Sequence, residues 1–184
     1  YVSFYNWAVS CNARNLKCNI ILDVAGELWG QLKYAEEIGR GKVLIKGTRY
    51  SCVWDDAVST PVQMFTMGNI VQGSFQETFL STKDRANSIE VSFTNKDKNY
   101  QRDSVVIFSD TWNSSGIINN PVQIHLPGID NFTQAYNEGV YRLNLNKYLI
   151  RTVTFKADVD SIVSQVGDVI LDRKSTRLNS SHAN

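Results

Sequence analysis

Apolar positions divide the chain into a short mixed stretch and a longer, strand-rich one. Leu16 to Leu22 is an apolar run that reads as a strand. Asp23 after it can cap a helix by accepting backbone N–H bonds. Ala25, Leu28, Trp29, Leu32, Ala35 and Ile38 recur at helical spacing and give that helix one apolar face, with Trp29 in the core. Gly39-Arg40-Gly41 lacks the third glycine of a dinucleotide loop and reads as the helix stop. Lys42 to Lys46 and Arg49 to Trp54 flank Gly47-Thr48, the signature of a hairpin. Residues 16–55 thus read as strand, helix, hairpin, and Asp56 to Pro61 is a polar link.

Beyond the link the pattern turns to strands. Val62 to Thr66 is one, and Ile70 to Leu80 reads as one long strand with Val71, Gly73, Phe75 and Phe79 on one face. Ser88 to Thr94 alternates cleanly, placing Ile89, Val91 and Phe93 inward and Glu90, Ser92 and Thr94 outward. Asn95 to Asn99 is turn chemistry, and Tyr100 to Phe108 returns as a strand. A loop rich in Asn, Ser and Gly spans Ser109 to Pro121, followed by a strand over Val122 to Leu126. Asn131 with Gln134 three residues later resembles a capping box, and Phe132, Ala135, Tyr136, Val140 and Leu143 supply the stripe of a second helix. Leu149 to Ala157 is a further strand with Val153 and Phe155 inward, and Gly167-Asp168 turns into a last strand, Val169 to Leu171. The fold class is α+β and β-rich: a small strand-helix-hairpin unit over 1–60, then a mainly antiparallel sheet or barrel-like domain with one packed helix over 61–171.

Residues 172–184 stand apart. Asp172 to His182 reproduces what one frame of a common sequencing adapter encodes, so this tail is expected to be non-native. Tyr1 opens as though within an element, so the chain is expected to be an internal fragment, truncated at its N-terminus. The tail also sets the sign of the charge. Of 19 basic and 18 acidic residues, three basic and one acidic lie from 172 onward, so the balance falls from +1 to −1 without them. Neither value suggests a nucleic-acid-binding surface, which is usually strongly basic. A composition 42% hydrophobic and 20% charged, with 3 prolines, argues against disorder. No apolar run approaches the roughly 20 residues of a membrane-spanning helix.

Candidate chemistry is sparse. Cys11, Cys18 and Cys52 are odd in number, without a Cys-x-x-Cys pair, and read as free thiols that make neither a disulfide framework nor a zinc site. Outside the tail's His182 one histidine remains, His125, which alternation places on a surface beside Gln123. No Gly-x-Ser-x-Gly elbow and no phosphate-binding loop is present. Asp55-Asp56 lies on extended chain, where neighbours point to opposite faces, and Glu36-Glu37 is read as an exposed helix face. Neither pair makes the converging carboxylates of a glycosidase. Catalytic, cofactor-binding and metal-binding residues are therefore expected to be none. Of Trp7, Trp29, Trp54 and Trp112, the loop residue Trp112 is the best candidate for an exposed ring that stacks on a sugar.

A set of short segments carries a resemblance. Pro61-Val62-Gln63-Met64-Phe65-Thr66-Met67-Gly68-Asn69-Ile70, then Gly73-Ser74-Phe75, then Asp84-Arg85-Ala86-Asn87-Ser88-Ile89-Glu90-Val91 resemble the tail-tip attachment protein J family of lambda-like phages. Gly39-Arg40-Gly41, Gln134-Ala135-Tyr136, Arg151-Thr152-Val153-Thr154-Phe155 and Gly167-Asp168-Val169-Ile170 follow the same family, each at its expected place along the chain. The resemblance covers about Leu16 to Leu171. It implies a virion structural protein of the baseplate hub, without enzymatic activity, closing the tail tube and supporting host attachment and DNA delivery. It further implies a homotrimer, contacts with other tail proteins, assembly in the host cytoplasm, and a host receptor met only through a C-terminal region absent here. No cofactor and no specific nucleic-acid contact is implied. The competing reading is a carbohydrate-binding β-rich module of a cell-surface protein, resting on Trp112.

Overall fold

The computed structural model describes residues 2–23, 26–57, 60–81, 85–110 and 120–172. Trp112 and the adapter-like stretch from 173 onward lie outside the described residues. The elements run α1 (Val2–Ala13), α2 (Leu28–Ile38), β1 (Gly41–Lys46), β2 (Arg49–Trp54), β3 (Gln63–Phe65), β4 (Gln76–Phe79), β5 (Ser88–Asn95), β6 (Gln101–Phe108), β7 (Pro121–Leu126), α3 (Phe132–Tyr148), β8 (Arg151–Thr154) and β9 (Ile170–Asp172). Short 3₁₀ turns occupy Lys96–Lys98 and Val159–Val163. The architecture is α+β and β-rich, in small sheets, and no closed barrel forms among the described residues. By contacts the chain makes two compact units, one of residues 1–55 with 80–150 and one of residues 56–79 with 151–184.

The first unit holds the main core. Its central sheet has the order β6-β5-β7, with β5 antiparallel to β6 and parallel to β7. One face buries Ile89, Val91, Phe93, Val105, Ile107 and Leu126 beneath Ala135 and Leu143 of α3. The alternation in β5 is thus realised for its apolar residues, with Glu90 and Thr94 half-buried on the other face, while Ser92 on that face is buried as well. Helix α3 starts where Asn131 accepts a hydrogen bond from the Gln134 backbone N–H at 2.8 Å. It approaches closely because Gly139 presents no side chain: a Cβ there would lie 2.3 Å from Ile107 Cδ1 and 2.9 Å from Val91 Cγ2. The predicted stripe is only partly right. Ala135 and Leu143 are buried, while Phe132 and Tyr136 stand exposed and Glu138 and Gly139 take the inward places.

The hairpin β1–β2 forms across Gly47, whose φ of +62° a side chain would strain. Glycine has a different use at 39 and 41. The Trp7 ring of α1 lies on both, with ring atoms 2.6 and 2.8 Å from where a Cβ would sit, and Trp7 Nε1 donates to the Gly39 carbonyl at 2.8 Å. The motif therefore ends α2 and also seats an indole.

Three local expectations fail. Residues 16–22 form no strand: Asn19 N–H donates to the Gly128 carbonyl and Gln134 Nε2 to the Lys17 carbonyl, single bonds rather than a ladder, and Ile21 and Leu22 stay exposed. Helix α2 begins at Leu28 with Glu27 at its N-cap and no side-chain cap, so Asp23 is not the start, and Trp29 is partly exposed against Tyr50. The long strand over Ile70 to Leu80 breaks at Gly73, where φ is +76°; only β4 is strand, and Ile70 makes a lone bridge to Ala157.

The second unit is built from two distant stretches of chain. β3 pairs with β9 in parallel, and β4 pairs with β8 in antiparallel register from Gln76↔Thr154 to Phe79↔Arg151. Phe155 packs on Phe65 at 5.0 Å and stacks on Phe75 at 6.3 Å between ring centroids. Gln63 ties the 3₁₀ turn down, its amide donating to the Asp160 carbonyl and its oxygen accepting from Ser164 Oγ.

Candidate functional site

The sequence-derived chemical candidates do not converge. Asp55 accepts a hydrogen bond from the Tyr141 hydroxyl at 2.7 Å, while Asp56 accepts from the N–H of Ala57. Glu36 is not on an exposed face: it is buried, bonded to Lys42 Nζ at 2.8 Å and to the Val43 N–H at 2.8 Å. Burial opposes its ionisation, but these bonds and the Lys42 and Lys33 charges outweigh it and hold the carboxyl below its usual range. The three cysteines are free, with Cys52 buried, Cys11 half-buried and Cys18 exposed. Desolvation pushes all three thiols up, Cys52 to about 11, which leaves little nucleophilic thiolate at neutral pH. Among the described residues no group of three or more His, Cys, Asp and Glu is placed to hold a metal ion, and no helix is long and apolar enough to cross a membrane.

A buried ionic cluster was not visible in the sequence. Glu138, 1% exposed, receives Arg40 Nε at 3.0 Å on one oxygen and Arg142 Nε at 3.2 Å on the other. The Arg40 guanidinium also lies over the Tyr141 ring, 3.6 Å from its centroid. Arg142 reaches back to the carboxylate and carbonyl of Glu37. Burial first, and then the bond to Asp55, push Tyr141 up to about 12. The cluster ties the α2–hairpin part of the unit to α3. Its ion pairs join parts of the fold to one another, the use a buried pair of this kind serves as cement. The one signal in the sequence was Glu138-x-x-x-Arg142, an i,i+4 pair.

The open face of the central sheet, away from α3, is polar and concave. Glu90, Ser92, Arg102, Asp103, Ser104, Gln123 and His125 line a hollow of about 570 Å³. The sequence placed Glu90, Ser92 and His125 here; the register adds Arg102 and Ser104 from β6. Gln123 donates to Glu90 at 2.9 Å, and Asp103 is held by Asn95 and Lys98. Ser92 Oγ lies 3.1 Å from His125 Nδ1, which invites comparison with a nucleophile and its base. The hydroxyl has one proton, and it goes to the Ile124 carbonyl at 3.1 Å while Arg102 donates to the same oxygen. The His125 tautomer that fits this pairing carries N–H at Nδ1, the opposite of what a base for Ser92 would do.

The second unit has a different surface. Among its described residues Phe65 and Ile70 are the buried apolar ones, whereas Met67, Phe79, Val159, Ile162, Val163 and Val166 are all exposed. Large apolar side chains left in water in this number are what an interaction site offers.

Comparison with known proteins adds the context for these surfaces. Residues 38–177 match the family described as "Putative phage tail protein". Over 153 residues, 83% of this chain, the sequence is 28% identical to "Tip attachment protein J" of Escherichia phage SECphi27. The matched region is 13% of that relative's length, so the chain spans about one eighth of it.

Proposed function

Since the chain belongs to this family of phage tail proteins, we propose that it is part of the tail-tip or baseplate hub, closing the tail tube and supporting host attachment and DNA delivery. The coarse role, a structural component of a phage tail, follows from the family itself. The observation that supports the finer reading is the second unit, which among its described residues buries two large apolar side chains and leaves many more uncovered. A part made to stand alone hides such a surface; a part made for assembly keeps it for its neighbours. The relative's name, tip attachment protein, supports the position at the tail tip. In this reading the chain works without catalysis, associates with itself as a trimer and with other tail proteins, and resides in the virion. The host receptor is met by a region outside this chain.

The test is to purify virions of the phage that encodes the chain, quantify its peptides by mass spectrometry, and label it with gold-conjugated antibody for electron microscopy. Label at the distal end of the tail at a few copies per particle is expected. Peptides present in the lysate and absent from washed virions, or label on the capsid, would overturn the reading.

A further inference from the structure

The hollow on the open face of the central sheet sorts its hydrogen-bonding groups by kind. Arg102 supplies donors. It donates to Ser92 Oγ at 3.3 Å, and no carboxylate among the described residues lies at ion-pair distance from it. Arg40 and Arg142 of the same unit, by contrast, spend their charge on Glu138 and Glu37. A guanidinium carries five N–H donors and accepts nothing, so most of those on Arg102 face a ligand unspent.

The rest of the hollow supplies acceptors. Gln123 donates to one oxygen of Glu90 at 2.9 Å, and a carboxylate can only accept there, so the amide is fixed in orientation. The Gln123 carbonyl oxygen and the second Glu90 oxygen make no hydrogen bond among the described residues. His125 with N–H at Nδ1, toward Ser92, keeps Nε2 as a further unpaired acceptor. Register sets these side by side, since Gln123 pairs with Glu90 and His125 with Ser92 across β5 and β7. Glu90 is two residues from Ser92 on one strand, about 7 Å, which keeps its carboxylate apart from the guanidinium held at Ser92. Asp103 also lines the hollow, but Asn95 and Lys98 answer its charge at 2.8 and 2.9 Å.

A ligand that meets both halves is anionic on one side and carries several hydrogen-bond donors on the other. A bare oxyanion would satisfy Arg102 and then face a bank of acceptors that includes a carboxylate. A neutral sugar would suit the bank and leave the guanidinium unmet. Ile124 is the one apolar residue of the lining, so a hydrophobic or stacking ligand finds little surface. The volume of about 570 Å³ falls within the roughly 300–1,000 Å³ of small-molecule sites. We propose that this hollow binds an acidic sugar, its carboxylate on Arg102 and its hydroxyls donating to Glu90, Gln123 and His125. Arginine grips a carboxylate through two parallel bonds, which would set the orientation of the ring. The site belongs to the sheet of the first unit and stands or falls separately from the tail role.

The experiment titrates the ¹⁵N-labelled whole chain with D-glucuronate at pH 7.5, with D-glucose and inorganic phosphate as parallel probes at matched ionic strength. Glucuronate should shift the amide signals of Ser92, Arg102 and His125 with a Kd of about 1 mM, the ordinary strength of a dozen ligand atoms at an open site. Glucose and phosphate should each bind at least tenfold more weakly, because each meets half of the lining. Arg102→Gln should weaken glucuronate at least tenfold, the scale of a charged hydrogen bond, with a spectrum as dispersed as before. Glu90→Gln should weaken it about fivefold, since it removes a charged acceptor for the hydroxyls. No saturable shift up to about 30 mM glucuronate would overturn the proposal. Phosphate or glucose binding as tightly as glucuronate would overturn it too. Binding that is unchanged in Arg102→Gln, or that strengthens in Glu90→Gln, would do the same, the latter by marking a simple anion site that Glu90 opposes.

Discussion

Glycine to alanine is the same chemical change at residues 30 and 139, and the structure gives it opposite signs. Both glycines lie in helices, where alanine is favoured by up to about 1 kcal/mol for its lower backbone entropy cost. At Gly30 an added Cβ meets nothing within 4 Å, so Gly30→Ala should gain most of that. At Gly139 it would lie 2.3 Å from Ile107 Cδ1, 2.9 Å from Val91 Cγ2 and 3.5 Å from Ile89 Cγ2. The Ile107 methyl is a flexible end and can turn away. Val91 is β-branched, fully buried and on the central strand, so α3 itself must lift. Overpacking of this kind costs about 1–3 kcal/mol, which exceeds the propensity gain. The net expectation for Gly139→Ala is a loss of about 1 kcal/mol, and Gly139→Val should lose more. Thermal unfolding followed by tryptophan fluorescence would read it, with Tm moving about 2–4 °C per kcal/mol for a chain of this size. Adding Ile107→Val to Gly139→Ala should cost less than the sum of the two. If Gly139→Ala raised Tm as Gly30→Ala does, the close seating of α3 on β5 would be refuted.

Glu138→Ala should lose about 3 kcal/mol in the same assay, because it strands Arg40 and Arg142 over a buried site. Tyr141 is held neutral, and its pKa rises from an unfolded value near 10 to about 12. Its stabilising contribution is therefore whole below pH 10 and fades as pH climbs through 12, and Tyr141→Phe should flatten that alkaline arm of the stability curve. Asn131→Ala removes the cap of α3 and should lower the unfolding free energy by about 1 kcal/mol. At pH 8 a maleimide should label Cys18 in the native chain and Cys52 only on unfolding, as mass spectrometry of the adducts would report.

Legibility in the sequence followed how local each cause was. The β5 alternation, the hairpin across Gly47 and the Asn131 cap each depend on a few neighbouring residues, and each was readable. The inward places of Glu138 and Gly139 were not. One depends on Arg40, about a hundred residues away, and the other on a helix meeting a sheet. The run over residues 16–22 has strand-like composition, but a strand needs a partner ladder, and none adjoins it. Helix α1 carries no buried residue, so no apolar stripe announced it. The polar sheet face was half visible: β5 and β7 showed it, whereas Arg102 and Ser104 join only through register. The exposed apolar stretch at 159–166 looked like ordinary core sequence, since composition cannot say which apolar side chains lack a cover.

The interleaved second unit has a consequence for the order of events during synthesis. β3 finds β9 only after more than a hundred further residues have left the ribosome, and β4 waits for β8. The segment between β4 and β8 must first bring its own ends together, as the bond from the Leu80 N–H to the Ile150 carbonyl at 2.7 Å records. Folding residues 80–150 early shortens the effective loop that the later pairings must close, and so lowers their entropic barrier. The second unit, with its exposed Val159, Ile162, Val163 and Val166, is then complete only when synthesis of this region has ended.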